Sequence, residues 1–412
     1  MAVTEFDVVV VGGGMTGSAL ALGAASQGWK VALVESAPLA SLQAPLTPAV
    51  TVDDIEPRVS AISVASERLL TELGAWPRVL QGRHCAYTAM DVWDGDGTGR
   101  IRFSASELGA PALGTIVENR ALVKALFDQL AESSVRLLGD TRVDSLSLVG
   151  EGIHRVVLSS GECLQSRLVI AADGARSQLR QWAGLPTREW DYNQQAIVCT
   201  VATERAHDGT AWQRFTETGP LAFLPLASLK DVDGAREPGD NLCSIVWSQD
   251  TTEARRLMAL DDDAFSEQLA AAFEGRLGAV TRLSRRHVFP LRQRHAKTYV
   301  RPGFALLGDA AHTIHPLAGQ GANLGYGDVR VLLDELAVAR QRALNPGDLL
   351  LLQRYQRRRK GENLSMMAAM EGFRQLFARD ELPLRWLRNT GMRWLNSAGP
   401  LKNRIAAQAM GL

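Results

Sequence analysis

The chain opens on an almost unbroken apolar run. Phe6-Asp7-Val8-Val9-Val10-Val11 is rich in β-branched residues, the pattern of a strand buried on both faces of a parallel sheet. The glycine cluster Gly12–Gly17 ends it, and the small apolar stretch Ser18 to Ala25 predicts a helix. A second strand, Lys30–Val34, closes on Glu35. The unit reads as βαβ, with Gly12, Gly14 and Gly17 in the slots of G-x-G-x-x-G. In that frame Gly12 permits the tight turn, Gly14 lets backbone approach a pyrophosphate, and Gly17 lets helix and strand pack closely. Unpaired N–H groups at the helix start would face the phosphates, and Glu35 can accept hydrogen bonds from a ribose diol. The alternative is a glycine-rich turn without a ligand. The motif alone does not separate NAD from FAD.

Two further strands end in the same kind of punctuation. Leu168–Ala172 runs into Asp173-Gly174, and Phe304–Leu307 runs into Gly308-Asp309, followed by the glycine-rich stretch His315–Gly325 and a helix. Between these motifs, Ala37 to Ile55 reads as a surface loop. Arg58–Ser63 precedes a helix with Leu69, Leu70 and Leu73 on one face, and Val117-Glu118-Asn119 leads into another with Leu122 and Leu126 in register. From about Trp190 to Arg285 the pattern changes to short strand-like pieces: Ala196–Val201, Trp212–Phe215, Leu221–Leu226 and Leu242–Trp247. They predict an antiparallel sheet inserted between parts of the nucleotide unit. The chain beyond Pro346 reads as helical.

Composition narrows the class. The 412 residues are enough for two interleaved domains, and the 46% hydrophobic and 22% charged content is that of an ordinary globular enzyme. Lys+Arg and Asp+Glu are both 45, a formal net charge of zero, which points away from a nucleic-acid partner. Cys85, Cys163, Cys199 and Cys243 are scattered, without C-x-x-C or metal-ligand spacing, which fits a reducing cytoplasm and argues against a dithiol centre. The early first strand is expected to leave no room for a signal peptide, and no apolar run is long enough to span a bilayer.

Three strand-end glycine motifs in one chain resemble the FAD-dependent aromatic hydroxylases related to p-hydroxybenzoate hydroxylase. The stretch from His315 to Asp328 is similar to the signature of the ubiquinone-biosynthesis branch. The resemblance runs almost end to end through Arg58–Ile62, Leu242–Trp247, Arg286–Pro290 and Gln408–Leu412. In these details it looks closest to the bacterial 2-polyprenylphenol hydroxylases, which oxidise ring carbon 5. The sister group acting on 2-polyprenyl-3-methyl-6-methoxy-1,4-benzoquinol shares much of the pattern.

The resemblance implies an α/β fold, α+β overall: a glutathione-reductase-type FAD-binding Rossmann domain, an inserted antiparallel-sheet substrate domain and a helical C-terminus. The FAD-binding domain is expected to be discontinuous over 1–85, 115–189 and 286–345, the substrate domain to take 86–114 and 190–285, and the helical region 346–412. FAD would be held non-covalently, NAD(P)H or another reductant would supply electrons, and O2 would be co-substrate, with the oxygen delivered through a flavin C4a-hydroperoxide. By resemblance Asp309 binds the ribityl chain, Asp173-Gly174 serves FAD and the pyridine nucleotide, and Arg58 and Asn119 fall in the ribityl and phosphate region. Asn119 departs from the Arg often found in that slot. The backbone from Gly319 through Gly321, Ala322 and Asn323 is placed against the pyrimidine edge. A glycine-rich loop opening a helix offers N–H donors and a positive dipole end to the charge of reduced flavin. Candidate substrate-lining residues are Trp212, Phe223, Leu224, Pro225 and Pro316. No phenol base is assigned, since the flavin carries the chemistry.

Plainer readings stand beside these. Asp173 and Asp309 can be helix caps, Arg58 a surface salt-bridge residue, and each lining candidate simple core. His312-x-x-His315 has the spacing of a metal pair but nothing completes a ligand set, so no metal is expected. Arg354–Lys360 reads as a solvated helix face. Between Leu384 and Leu412 there are five basic residues, Arg385, Arg388, Arg393, Lys402 and Arg404, and no acid. A polyprenylated substrate lives in the membrane, so this end can either rest on lipid or pack on the flavin domain or a partner from the same biosynthesis, with packing slightly favoured. The expected location is the cytoplasm, with peripheral contact to the inner membrane left open. A catalytically silent flavoprotein scaffold remains the alternative from another class.

Overall fold

A computed structural model describes residues 3–95, 97–150, 152–229, 241–314, 321–378 and 382–410. Its first sheet has eight strands. A parallel stack runs Phe304–Leu306, Cys163–Ala171, Val3–Val11, Val31–Val34 and Arg136–Leu138, with Val8 beside Leu168 on one side and Val31 on the other. Val8, Val9 and Val10 are fully buried, as the apolar run requires of a strand covered on both faces. Helices Met15–Ser26, Asn119–Ala131 and Gly321–Gln341 cover it, their buried Leu20, Leu122, Leu126, Leu332 and Leu336 joining the same core. The first and third of these helices meet closely: a Cβ on Gly23 would sit 2.4 Å from Leu333 Cδ1.

The second sheet has nine strands and is antiparallel except where Thr210–Thr216 runs parallel to Ala89–Asp94. Its centre is Thr187–Thr203, Leu242–Asp250 and Gly219–Pro225. Helices Thr251–Met258 and Asp262–Ala272 cover one face through Leu257, Phe265 and Leu269, packed on Ile197, Phe223 and Ile245. The other face packs Ala202, Ala211 and Leu224 against Ala61 and Ile116, and so turns toward the flavin-motif unit. Residues 286–345 are expected in the flavin unit, but their first strand, His287–Ala296, pairs along Thr187–Thr203 and lies in the second sheet. A three-stranded sheet of Val59–Ser63, Gly114–Glu118 and His84–Tyr87 sits between the two.

Two stretches differ from their sequence reading. Ala37–Ile55, expected as a surface loop, buries Ala49, Val52 and Ile55 in the core between the sheets. The basic run 354–360 is not wholly solvated. Tyr355, Arg359 and Asn363 share one face of helix Leu349–Ala378 by their spacing of four, and all three are buried. Arg354 and Arg358, on the outer side, pair with Glu335 and Asp334.

Candidate active site

The three glycine motifs converge at the carboxyl ends of the parallel strands, where ligands of such sheets sit. Gly12 has a φ of +108° and no room for a side chain: a Cβ there would lie 2.3 Å from the Ala172 carbonyl oxygen. This contact joins the first motif to the second. Gly14, Gly174 and Gly321 are different, since a Cβ on any of them would meet no atom of a described residue within 4 Å. The three open glycines outline a cradle with bare backbone walls. Glu35 clasps the first loop, its carboxylate accepting from Gly13 N at 2.6 Å and from Ala37 N at 2.8 Å.

Asp173 caps the short helix Gln178–Trp182, with Oδ2 accepting from Gln178 N at 2.9 Å and Leu179 N at 3.2 Å. Its Oδ1 is buried without a partner among the described residues, an acceptor that a bound ligand's donor would satisfy. Asp309 opens onto the cleft but is walled by protein. That desolvation raises its pKa above the ordinary carboxylate value, against the opposing pull of His312 and Arg58. Arg58 is exposed and makes no ion pair among the described residues. Asn119 is spent locally: its Oδ1 accepts from Ser60 Oγ at 2.6 Å, and its N–H donates to the Arg58 carbonyl. The Asn323 side chain acts as a staple. Oδ1 accepts from Ser63 N and Ser66 Oγ, and Nδ2 donates to Ala61 O at 2.8 Å. The head of helix Gly321–Gln341 is thereby fixed to the Val59–Ser63 strand. Ala322 is half-buried beside it, while Gly319 and Pro316 lie outside the described residues.

Two supports are not visible in motif reading. Arg180, itself buried, donates to Ala175 O at 3.1 Å and Ala310 O at 2.8 Å, tying the second motif to the third. Beneath the third motif lies a buried polar network. Asp328 accepts from His312 Nε2 at 2.5 Å, Arg359 Nε at 2.7 Å and Gly308 N at 3.2 Å. Burial works against the Asp328 charge, but His312 and Arg359 hold its pKa below the usual carboxylate range. His312 is thus engaged with a carboxylate, and His315 lies outside the described residues. Asn363 links the network to Tyr299, whose hydroxyl meets His295 Nε2 at 2.9 Å.

Burial, followed by the electrostatic influence of His312, Lys360 and Arg188, pushes the His295 pKa down to about 4. Between the ordinary histidine value of about 6.5 and that lowered value, the unfolded chain binds a proton that the folded chain refuses. The stabilisation is therefore whole above about pH 6.5 and is lost as pH falls toward 4, with a slope of up to about 1.4 kcal/mol per pH unit. Urea unfolding at pH 7 and pH 5 is expected to show this loss in the parent protein and a smaller one in His295→Gln. Equal losses in both proteins would remove His295 as its source.

An apolar cavity adjoins the flavin motifs. Leu113, Ile116, Met90, Phe103, Ala211 and Leu224 form much of its wall, and Asn323 and Ile405, Ala406 and Met410 of the last helix also line it. Of the lining candidates, Leu224 borders it directly. Trp212 also borders it, though its ring turns away, edge-on to Trp93 and Phe273. Phe223 does not border it. Strand alternation sends it to the opposite face, where it stacks on Phe273 at 3.8 Å. Pro225 has the same parity, pairs with Cys243, and does not border the cavity either.

The family described as FAD binding domain matches residues 5–368. The 3-demethoxyubiquinol 3-hydroxylase of Escherichia coli (strain K12) is 40% identical over 413 residues, covering 98% of each chain. This chain belongs to the FAD-dependent hydroxylases of ubiquinone biosynthesis. The mitochondrial ubiquinone biosynthesis monooxygenase COQ6 of Mus musculus is 33% identical, over 98% of this chain and 91% of that one. Among solved structures, PqsL, a probable FAD-dependent monooxygenase from Pseudomonas aeruginosa, superposes with a TM-score of 0.74 at 22% identity, over 95% of this chain and all of that one. p-Nitrophenol 4-monooxygenase PnpA from Pseudomonas putida does so with 0.76 at 17%, over 99% and 98%. These two show the shared fold. Membership makes the protein an FAD-dependent monooxygenase, with O2 and a reductant as the class requires. The cradle of open glycines and the partnerless Asp173 Oδ1 fit that cofactor.

The C-terminal basic residues divide. Arg388 is buried in a two-pronged ion pair with Asp94 at 2.7 and 3.0 Å, and Lys402 pairs with Glu107 at 2.7 Å. These two anchor the last helices to the second sheet. Arg393 and Arg404 are exposed, as are Trp386 and Trp394. No helix among the described residues is long and apolar enough to cross a membrane.

Proposed function

We propose that this monooxygenase hydroxylates the polyprenylated ring of a ubiquinone precursor. The observation that carries the reading is the apolar cavity lined both by Asn323, at the head of the flavin-side helix, and by Ile405 and Met410 of the last helix. Its walls suit an aromatic ring with a hydrocarbon tail. Two ring positions compete. The resemblance of short motifs points to carbon 5 of a polyprenylphenol. The full-length similarity to the Escherichia coli 3-demethoxyubiquinol 3-hydroxylase supports instead the remaining open carbon of the methylated, methoxylated benzoquinol, and this is the reading we favour.

Reduced FAD and O2 supply the oxygen atom. The residues of the chain bind, orient and keep out water. Gly321, Ala322 and Asn323 begin a helix whose first N–H groups would offset negative charge at the pyrimidine edge. Asp309 and Asp173 would hold the cofactor's hydroxyl groups. Leu224, Met90 and Ile116 would exclude water from the reacting ring. Exposed Trp386, Trp394 and Arg393 support contact of the last helices with anionic lipid or with another biosynthetic protein, whereas buried Arg388 and Lys402 take no part in it.

The test is isotopic. FAD-loaded protein, reduced and given 18O-labelled O2, is expected to add one heavy oxygen to a short-chain prenylated methoxy-benzoquinol faster than to the matching prenylphenol. Label taken from water, or turnover without O2, would refute the monooxygenase reading of this site. Faster labelling of the prenylphenol would return the assignment to carbon 5.

A further inference from the structure

The cavity is apolar, so its few polar side chains carry most of the information about its ligand. Leaving aside the Trp212 indole, which turns away, they are Ser63, Tyr87, Gln213 and Asn323. Asn323 is used up by Ser63, Ser66 and Ala61, and Ser63 Oγ lies 3.2 Å from Ser66 Oγ. Tyr87 and Gln213 are different. Neither side chain makes a hydrogen bond to any described residue, although Gln213 is only 5% exposed. Both side chains line the cavity and spend no hydrogen bond on a described residue, so they are available to a ligand that enters it.

The backbone aims both groups inward. Gln213 follows Ala211 on the cavity side of strand Thr210–Thr216, while Trp212 between them faces the covering helices. Tyr87 ends strand His84–Tyr87 opposite Gly114. A Cβ at Gly114 would lie 2.9 Å from the Tyr87 hydroxyl, so glycine makes room for the phenol ring where it lies. The two groups come from different sheets and meet one cavity from two walls.

We propose that Gln213 and Tyr87 are the substrate-recognition residues of this cavity, each binding a ring oxygen of a dioxygenated, prenylated aromatic ring. The inference rests on the hydroxylase reading above and adds which residues read the ring. Gln213 can accept a phenolic O–H and donate from its amide. Burial and the neighbouring Glu67 push the Tyr87 pKa up to about 12, so its hydroxyl keeps its proton at neutral pH and can donate it to an oxygen. A ring bearing two oxygens satisfies both groups, whereas a hydrocarbon ring leaves both buried and unpaired, the situation in which a polar site discriminates most strongly.

The experiment measures binding, without turnover. Oxidised, FAD-loaded protein is titrated with a short-chain prenyl-1,4-benzoquinol and with the matching prenylbenzene, following the flavin absorbance, in the parent and in Gln213→Met and Tyr87→Phe. The parent is expected to prefer the quinol by about a hundredfold, and each variant to lose about tenfold of that preference while binding prenylbenzene as before. A variant that keeps the full preference would overturn the assignment. So would one that loses affinity for both ligands equally, since that marks a change of cavity shape. The substitutions lie in different sheets, so a folding defect in one, seen as lost FAD, leaves the other to decide. A parent protein that shows the preference yet fails the isotope test would refute the hydroxylase reading and leave the recognition residues standing.

Discussion

Asp328→Ala is expected to destabilise the protein by about 3–5 kcal/mol, the usual cost of stripping one partner from a buried ion pair. Asp328 is fully buried and holds four donors: His312, Arg359, Asn363 and the Gly308 N–H. Alanine would leave the Arg359 guanidinium, itself 4% exposed, with Glu362, Asn363 and the Leu324 carbonyl as its remaining partners. The damage would reach the flavin motif as well, because the Gly308 N–H bond to Asp328 sets the turn that presents Asp309. Lower urea midpoints and loss of FAD on dialysis are therefore expected together. Replacing both charges, as in Asp328→Leu with Arg359→Leu, should recover a good part of the stability, because the buried Asp328 and Arg359 charges are removed together. A midpoint unchanged in Asp328→Ala would show that the network contributes little.

Gly17→Ala and Gly14→Ala are expected to fail in different ways. A Cβ on Gly17 would sit 1.9 Å from the Gly12 carbonyl oxygen and 3.0 Å from Ala172 Cβ. The first of these is backbone, so the helix must move off the strand. That helix buries Leu20, Ala21 and Ala24 completely, and forced overpacking costs about 1–3 kcal/mol, occasionally more. Gly17→Ala should therefore lose both stability and FAD. A Cβ on Gly14 meets no atom of a described residue within 4 Å. Gly14→Ala should keep the urea midpoint of the FAD-free protein within about 0.5 kcal/mol, a typical surface change, and weaken FAD binding by about tenfold or more, because the methyl stands where backbone must approach the pyrophosphate. Equal FAD affinity in Gly14→Ala and the parent would move the pyrophosphate away from this loop.

Much of this was legible because it is local. The βαβ unit shows in a β-branched strand, a glycine turn, a helix and a second strand within the first 35 residues, each specified by neighbours in sequence. Asp173 and Asp309 stand out as acids at strand ends for the same reason. The strands of the second sheet are readable from short runs, but their roles are not. Phe223 and Leu224 cannot face the same way, since side chains alternate along a strand. Which of the two meets the cavity is decided by the helices that cover the Phe223 side.

Charge is where sequence reading reaches least far, because the partner that decides a charged residue's environment can lie anywhere in the chain. Arg359 sits in a basic run that looks solvated, yet it points inward to Asp328, 31 residues away. Arg388 belongs to a basic tail whose sequence fits either lipid contact or packing, and Asp94, 294 residues earlier, decides for packing by holding it inside. Gln213 and Tyr87 carry no motif at all. Only the packing of two sheets around one apolar space makes them its polar groups without a hydrogen-bond partner among the described residues. The sequence by itself determined the dinucleotide motifs, since they are written in short-range glycine geometry, and the resemblance carried by the whole set of motifs pointed to FAD. The tertiary structure decided which charges are buried and which side chains meet the substrate, since burial depends on what distant segments bring to the same place.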